Sequence, residues 1–238
     1  MRILVRSQAD ILAGAAEGAA GVISIRGTIR GTLPEDDVAA QSQSAIPFRS
    51  GRQNKVVLDS RGTTAPENDL NLACAQAVLG DVDAVLTMRF DDIGIPAYGP
   101  YTGPTMSHVV AALDFARVAR DREPDGTLVV HCLHGRSRST AIALAILADE
   151  MEPGREADAV AALLKQDLDS RMHPNSLLVA LADAALLRVG ALERALAEAC
   201  PRHVKWREHW HEVALDPERH WETARKVRFR RRGKGGET

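Results

Sequence analysis

The chain has 238 residues, 45% of them apolar, so it can bury one sizeable hydrophobic core; its formal net charge is −2. Three cysteines leave no disulfide framework, and no apolar stretch approaches a membrane span, so neither a disulfide-stapled nor a membrane-spanning protein is expected. The apolar run in residues 1–6 is too short for a signal peptide, and we therefore expect a soluble, cytoplasmic protein.

Short β-prone runs alternate with helical patterns along the chain, and this alternation predicts an α/β fold. We expect a mostly parallel central sheet of four to five strands, flanked by helices on both faces. Strands are predicted over residues 2–5, 22–26, 55–58, 83–88 and 128–131. Helices are predicted over residues 7–16, 66–79, 107–120, 139–152, 156–168, 175–187 and 190–199. Residues 28–54, rich in Gly, Ser, Gln and Pro, are expected to form a surface excursion.

The segment between the last predicted strand and the helix after it carries the main chemical motif. Residues 131–139 read HCLHGRSRS, in which Cys132 and Arg138 have the spacing Cys-x5-Arg. One tight loop with this spacing can hold a sulfur nucleophile and a guanidinium around a single phosphate, because the guanidinium fork fits two phosphate oxygens. The intervening residues can turn their backbone N–H groups inward as a nest for an anion. They are Leu133, His134, Gly135, Arg136 and Ser137.

The predicted elements on either side of this loop suit an anion site. A β-prone run over 127–130 precedes it and a strongly helix-forming run over 139–148 follows it. The orphan N–H groups and the positive end of the helix dipole therefore point at any bound anion. The same field favours thiolate over thiol at Cys132, and the sequence predicts a phosphate site with a cysteine nucleophile.

The loop resembles that of the protein tyrosine phosphatase superfamily, whose pattern is His-Cys-x-x-Gly-x-x-Arg-Ser/Thr. The resemblance implies that Cys132 is the nucleophile, that Arg138 clamps the phosphate and that the Ser139 hydroxyl stabilises the leaving thiolate. It also implies a mostly structural role for His131, which would order the loop through hydrogen bonds. Neither a metal ion nor another cofactor is implied.

The order of segments over about residues 80–200 is similar to that of small bacterial members of the dual-specificity-like branch of this superfamily. There, a strand ends in an aspartate, and a Gly-Pro-containing loop, a helix, the phosphate loop and a Pro-Asn helix follow. Asp91 and Asp92 stand at the strand end, and we expect Asp92 to be the general acid because the branch resembles Phe-x-Asp-Ile here. Residues 94–104 are expected to form an ordered lid. Asn175 would brace the phosphate loop and can also cap a helix.

These residues predict a cysteine-dependent phosphatase that hydrolyses phosphomonoesters, above all protein phosphotyrosine, with dual specificity left open. One alternative is an RNA 5′-phosphatase or triphosphatase, because His134 resembles the His-Cys-x-His-Gly variant of those enzymes. They tend to follow the arginine with Thr-Gly, whereas this chain has Ser139 and Thr140. The other alternative is a phosphate-binding adaptor without turnover, which would require that neither Asp91 nor Asp92 reaches the pocket.

The composition of the chain changes at Pro201, after which all three tryptophans occur. We expect residues 1–200 to form the catalytic domain and residues 201–238 a C-terminal extension. Seven of the ten residues in 225–234 are Lys or Arg, so a disordered tail from residue 225 is expected, with a polyanion as its potential partner. A zinc site is not expected, because the spacing of the candidate ligands fits no closed four-ligand pattern. Those candidates are Cys200, His203, His209, His211 and His220.

Overall fold

A computed structural model of the protein describes residues 1–28, 57–58, 82 and 84–233. The strands of the main sheet are β1 (Arg2–Ser7), β2 (Gly21–Arg26), β3 (Val57–Leu58), β4 (Val85–Arg89) and β7 (Thr127–Cys132). They are all parallel and lie in the order β1-β7-β2-β4-β3. Between β4 and the next helix, the short strands β5 (Ala97–Tyr98) and β6 (Tyr101–Thr102) form an antiparallel hairpin.

Strand β7 lies inside the sheet and ends at the predicted nucleophile. It pairs with β1 on one side, where Ser7 lies opposite Cys132. It pairs with β2 on the other side, where Ser24 lies opposite His131. All of its residues after Thr127 are buried, as expected for a parallel strand that is covered on both faces. The carboxyl end of β7 is therefore a fixed platform for the loop that follows.

Eight helices occur among the described residues. They are α1 (Gln8–Leu12), α2 (Met106–Arg122), α3 (Arg138–Asp149), α4 (Glu156–Leu164), α5 (Ser176–Ala185), α6 (Ala191–Ala199), α7 (Pro201–Leu215) and α8 (Pro217–Gly233). Not one of these eight combines the length and the apolar character that crossing a bilayer requires.

The helices cover both faces of the sheet. On one face, buried side chains of α2, α3 and α5, including Phe115, Ile142 and Val179, pack with the strands into the main core. Helix α3 is buried along almost its whole length, since its alternating alanines let it lie close to its neighbours. On the other face, Ile11 of α1 packs against Val22 and its neighbours. The predicted fold class is therefore confirmed.

The first helix is shorter than predicted. The pattern over 7–16 predicts four further residues, but α1 ends at Leu12, and Gly14 and Gly18 adopt the left-handed conformation at φ +91° and +69°. Glycines at positive φ interrupt a helix, because the backbone there turns away from the helical path. The predicted excursion, apart from its first residue, and the predicted helix over 66–79 lie outside the described residues.

The C-terminal helices are attached to the core. His203 and Val213 of α7 are completely buried, and α7 packs against α5 and α6. The boundary expected at residue 200 therefore runs between helices that are in contact with each other. Helix α8 continues to Gly233, and the prediction of disorder from residue 225 is wrong for the backbone of residues 225–233. The helix starts with Pro217 and carries its cations toward the C-terminal end, an arrangement that the helix dipole favours.

Candidate active site

The segment from Cys132 to Arg138 is a tight loop between β7 and α3. Gly135 adopts φ +67°, and a Cβ there would lie 3.0 Å from the backbone of Arg6 and Ser7. Glycine is therefore needed twice, for its backbone conformation and for its lack of a side chain. The predicted strand–loop–helix arrangement exists, and the loop lies directly on the end of β1.

Backbone hydrogen bonds hold this loop from outside. Its carbonyl oxygens accept N–H groups of neighbouring elements: Leu133 from Gln8 at 3.3 Å, Arg136 from His173 at 2.9 Å and Ser137 from Asn175 at 3.3 Å. Within the described part of the chain, the amide N–H groups of residues 134–137 donate to no backbone carbonyl. An anion nest requires backbone N–H groups that are free to bind the anion, and the outward hydrogen bonds of the loop carbonyl oxygens leave these N–H groups free.

The thiol of Cys132 is buried beside a hydroxyl group. Its residue is only 3% exposed, and its Sγ lies 3.1 Å from the Oγ of Ser139, which is fully buried at the start of α3. A hydroxyl at this distance can donate a hydrogen bond to a thiolate. The two residues are therefore placed together as the sequence predicted.

The guanidinium of Arg138 is anchored but not saturated. Its Nη1 donates to the carbonyl oxygen of Phe90 at 3.0 Å. Its Nε is buried and has no hydrogen-bond partner among the residues that the structure describes. Since a guanidinium carries five N–H donors, several remain for phosphate oxygens.

Of the two candidate acids, Asp92 is the one beside the loop. Its Oδ1 accepts hydrogen bonds from Ser137 Oγ at 2.6 Å and from Asn175 Nδ2 at 3.0 Å. Its Oδ2 lies 4.0 Å from the Nε of Arg138, and its side chain remains 39% exposed. The carboxyl group is thus fixed at the rim of the phosphate loop, with access to solvent.

Asp91 faces away from the loop and has a different set of contacts. Its carboxylate accepts from the Thr28 hydroxyl at 2.6 Å and from the Thr102 N–H at 3.0 Å. Its own N–H donates to the Thr102 carbonyl at 2.7 Å. These bonds close the base of the segment that contains the β5–β6 hairpin, so Asp91 stabilises that segment.

Asn175 caps a helix as predicted, but its side chain holds Asp92 and Ile93, and only its backbone N–H contacts the phosphate loop, at the Ser137 carbonyl. Its side-chain oxygen accepts from the N–H of Leu178 and caps α5. Its Nδ2 donates to Asp92 and to the carbonyl oxygen of Ile93, both at 3.0 Å. One side chain therefore starts a helix and holds the candidate acid beside the loop.

His131 is a buried, uncharged residue near neutral pH. Burial lowers its pKa to about 4, and the nearby positive charge of Arg26 acts in the same direction. Within the loop itself, Leu133 and His134 are exposed and Arg136 is partly exposed. His134 therefore lies on the rim, where a side chain can meet substrate but does not pack into the core.

Sequence reasoning missed an aromatic wall beside Asp92. A cleft lined by Asp92, Ser137 and Asn175 is also lined by His173, Trp206 and Trp210. The ring of His173 stacks on Trp206 with centroids 5.6 Å apart at an interplanar angle of 24°, and Trp206 remains 44% exposed. The sequence does contain one indication of it: all three tryptophans lie after residue 200, in a chain with only 4% aromatic residues.

Several of the residues considered for zinc make other contacts. His203 Nδ1 lies 2.8 Å from the carbonyl oxygen of Pro174, and burial lowers the pKa of this histidine. His209 and His220 join the rings around the tryptophans. In the described ranges, no group of three or more His, Cys, Asp or Glu side chains has the arrangement of a metal site.

The fold and this site together define an α/β protein with a tight loop between a parallel strand and a helix. A cysteine stands at the start of the loop, an arginine at its end and an aspartate beside it.

Comparisons with known proteins give matches among solved structures. No family model matches the chain, and no curated protein matches it. The crystal structure of PTPMT1 in complex with PI(5)P is 13% identical with a TM-score of 0.42, over 80% of this chain and 93% of that one. Tk-PTP in the active form is 13% identical with a TM-score of 0.44, over 79% and 93%. Another PTPMT1 structure is 14% identical with a TM-score of 0.42, over 81% and 94%.

Proposed function

We propose that the protein is a cysteine-dependent phosphatase that hydrolyses phosphomonoesters through a phosphocysteine intermediate. The observation that carries the proposal is the convergence of three groups on one loop. The thiol of Cys132 stands beside a hydroxyl, the guanidinium of Arg138 has donors to spare, and the carboxyl of Asp92 lies within 4.0 Å of that guanidinium. These are the nucleophile, clamp and acid that such a reaction needs.

In the first step, the thiolate of Cys132 attacks phosphorus opposite the ester oxygen. The S–P bond forms as the P–O bond breaks, and the departing oxygen takes the proton of the Asp92 carboxyl group. Arg138 and the amides of the loop stabilise the charge on the three equatorial oxygens. An alkoxide or phenolate is a poor leaving group, so proton donation by a positioned acid lowers the barrier.

In the second step, water attacks the phosphocysteine. The Asp92 carboxylate accepts a proton from that water, the O–P bond forms and the S–P bond breaks. The sulfur leaves as a thiolate, to which the neighbouring Ser139 hydroxyl can donate a hydrogen bond. Inorganic phosphate departs, and the enzyme returns to its starting state.

The aromatic wall supports an aryl phosphate, above all protein phosphotyrosine, as the substrate. The leaving group of a phosphate held in the loop must extend past Asp92, and that side of the loop carries His173, Trp206 and Trp210. The exposed face of Trp206 can stack on a planar ring, whereas the side chain of phosphoserine offers no such surface. Preference for phosphotyrosine over phosphoserine is therefore expected, with dual specificity as the weaker alternative.

The decisive experiment compares the intact protein with Cys132→Ser on a phosphotyrosine peptide, a phosphoserine peptide and a 5′-triphosphate RNA. The variant should lose turnover but keep binding of vanadate or phosphate, since Arg138 and the loop amides remain. Cys200→Ser, which changes another buried cysteine, is the matched control and should keep full activity. Wild-type turnover by Cys132→Ser would contradict the covalent mechanism.

The same three substrates separate the alternatives. Turnover confined to the RNA would favour a 5′-triphosphatase, for which the exposed His134 beside the nucleophile is the supporting observation. Phosphate binding without turnover on any of them would favour an adaptor. The position of Asp92 beside Arg138 speaks against an adaptor, because a carboxyl group there serves turnover.

A further inference from the structure

The segment after Asp92 is held from outside by the two C-terminal helices. We call residues 91–103 the acid loop. Its base is closed by the hydrogen bonds between Asp91 and Thr102, and the N–H of Gly103 donates to the carbonyl of Pro96 at 2.9 Å. Its only regular structure in the described chain is the hairpin of two two-residue strands. Such a short hairpin is not stable by itself in water, so its position depends on what packs against it.

Helix α7 contacts the start of the acid loop. A methyl group at Gly94 would overlap the indole of Trp210, so the backbone two residues after Asp92 lies directly against that ring. The same tryptophan meets the ring of Tyr98 edge-on, with centroids 5.7 Å apart. Trp210 therefore touches the loop both beside the candidate acid and at the hairpin.

Helix α8 contacts the tip of the acid loop. Tyr98 also meets Trp221 edge-on at 5.3 Å, and its hydroxyl lies 2.8 Å from Nδ1 of His220. Tyr101 meets Trp221 at 5.8 Å. Gly99 turns there at φ +57°, and a Cβ on it would lie 2.5 Å from the Trp221 indole. We call Tyr98, Tyr101, Trp210, His220 and Trp221 the aromatic clasp.

We propose that the aromatic clasp is a positioning device for the general acid: α7 and α8 fix the acid loop so that Asp92 stays beside Arg138. This proposal rests on the proposed function. The Asp92 carboxyl group is partly exposed, and among the described residues its hydrogen-bond donors are Ser137 and Asn175. A loop that moves by about 1 Å can cost about 10²-fold in rate, because proton transfer requires a fixed donor–acceptor distance.

The clasp is not expected to affect the nucleophile. Cys132 ends β7 and Ser139 lies in α3, and the nest between them is held by hydrogen bonds from Gln8, His173 and Asn175, none of which belongs to the clasp. Loosening the clasp should therefore impair proton donation to the leaving group and leave attack by sulfur intact. Trp210 and Trp221 are positioning residues in this scheme, since they act through Asp92.

The test is the dependence of kcat on the leaving group in Trp221→Ala. On a phosphate whose leaving group has a high pKa, such as phenyl phosphate, kcat should fall by about 10–100-fold, whereas on 4-nitrophenyl phosphate it should change by less than about threefold. Trp221→Phe keeps an aromatic contact and should recover most of the loss. Leu215→Ala, an exposed position at the end of α7, is the control and should match wild type on both substrates.

A double variant and a milder substitution test whether Trp221 acts through Asp92. In a double variant with Asp92→Asn, Trp221→Ala should add no further loss on phenyl phosphate, because both changes remove the same proton donation. Tyr98→Phe removes only the hydroxyl next to His220, so the fold stays intact, and it should show the same leaving-group dependence with a smaller loss, about 2–5-fold.

Equal losses on both substrates, or additive losses in the double variant, would overturn the positioning role. No loss in Trp221→Ala and Tyr98→Phe would overturn it as well. Failure of the underlying function is a separate result, since it would appear as retained hydrolysis of 4-nitrophenyl phosphate in Cys132→Ser.

Discussion

Two adjacent aspartates just after β4 illustrate how much a single step along the chain changes. Asp91 binds Thr28 and Thr102 and closes the acid loop, whereas Asp92 binds Ser137 and Asn175 beside the phosphate loop. Their roles in the proposed reaction should differ accordingly.

We predict that Asp92→Asn lowers turnover by about 10²–10⁴-fold on a phosphoester with a poor leaving group, as expected for loss of a general acid. The loss should shrink for 4-nitrophenyl phosphate, whose leaving group needs little protonation. Asp91→Asn is the matched change, and it should lower thermal stability without this leaving-group dependence. Should Asp91→Asn show the dependence and Asp92→Asn not, the acid has been assigned to the wrong neighbour.

We predict that two buried histidines make the protein less stable in mild acid. Burial lowers the pKa of both His108 and His131 from 6.5 to about 4. The unfolded chain therefore takes up these protons first as the pH falls below 6.5. Stability that is complete above pH 6.5 is lost progressively down to about pH 4, by roughly 3 kcal/mol for each histidine, since one pKa unit corresponds to about 1.4 kcal/mol.

The measurement is the free energy of unfolding by denaturant between pH 7 and pH 4. His131→Gln removes one titrating group and should give a shallower decline than the wild type over this range, even where the variant is less stable at pH 7. If stability declines equally steeply in His131→Gln and in the wild type, the pKa of His131 does not differ between the folded and the unfolded chain.

At the scale of elements, the glycine of the phosphate loop joins β1 to the loop. We predict that Gly135→Ala destabilises the protein by more than the roughly 1 kcal/mol that a left-handed conformation alone costs an alanine. The extra cost comes from the backbone of Arg6 and Ser7, 3.0 Å from the added methyl group. Phosphate binding should weaken as well, since the nest must shift.

Gly154→Ala is the control for this change. Gly154 also adopts a positive φ, +93°, but a Cβ there would have no neighbour within 4 Å among the described residues. Thermal unfolding and vanadate binding should separate the two variants. If both lose the same stability and both keep vanadate affinity, the contact with β1 contributes nothing.

The elements that the sequence predicted best are those with a local signal. The strands around Cys132 are continuous β-branched and apolar runs, and α3 is a run of strong helix formers, so both were placed within about three residues. The loop with its cysteine and arginine could be predicted from their spacing together with the neighbouring His131, Gly135 and Ser139 and the predicted strand and helix on either side. Asp92 could be proposed from its place at a strand end, but the contact that distinguishes it from Asp91 depends on three-dimensional neighbours.

The tryptophans after residue 200 stand out in the sequence, but the contacts of the aromatic wall and the clasp could not be predicted, because they join residues far apart in the chain. Tyr98 and Trp221 are separated by more than one hundred residues, and α7 shows no clear amphipathic stripe that would indicate packing. The helix over 225–233 was missed for another reason. Dense positive charge suggests disorder, but arginine and lysine are good helix formers and here extend a helix that began at Pro217.

At the scale of the whole molecule, the basic end of α8 should be dispensable for the chemistry. We predict that deleting residues 225–238 leaves hydrolysis of a small aryl phosphate within about twofold. Trp221 and His220 precede the deletion, so the clasp remains, and screening over about 8 Å mutes a distant charge at the site. A large loss on this substrate would show that the deleted residues support the fold.

The same deletion tests for a polyanionic substrate or partner. If the substrate is an RNA or a phospholipid in a membrane, the deletion should raise the apparent KM and flatten its dependence on salt, because fewer phosphate contacts release fewer counterions. A phosphotyrosine peptide without acidic residues is the control and should show neither change. Equal effects on both substrates would speak against an electrostatic role of this segment.

The parallel pairing of β1 with β7 also has a consequence for biosynthesis. Ser7 lies opposite Cys132, so β1 can pair with β7 only after about 125 further residues have been translated. Trp221, which holds the acid loop, emerges about 90 residues later still. At 5–20 residues per second, that interval lasts roughly 5–20 s. A nascent chain on the ribosome would therefore acquire its phosphate loop before its acid is held in place, and during that interval it could capture a phosphoester more readily than hydrolyse it.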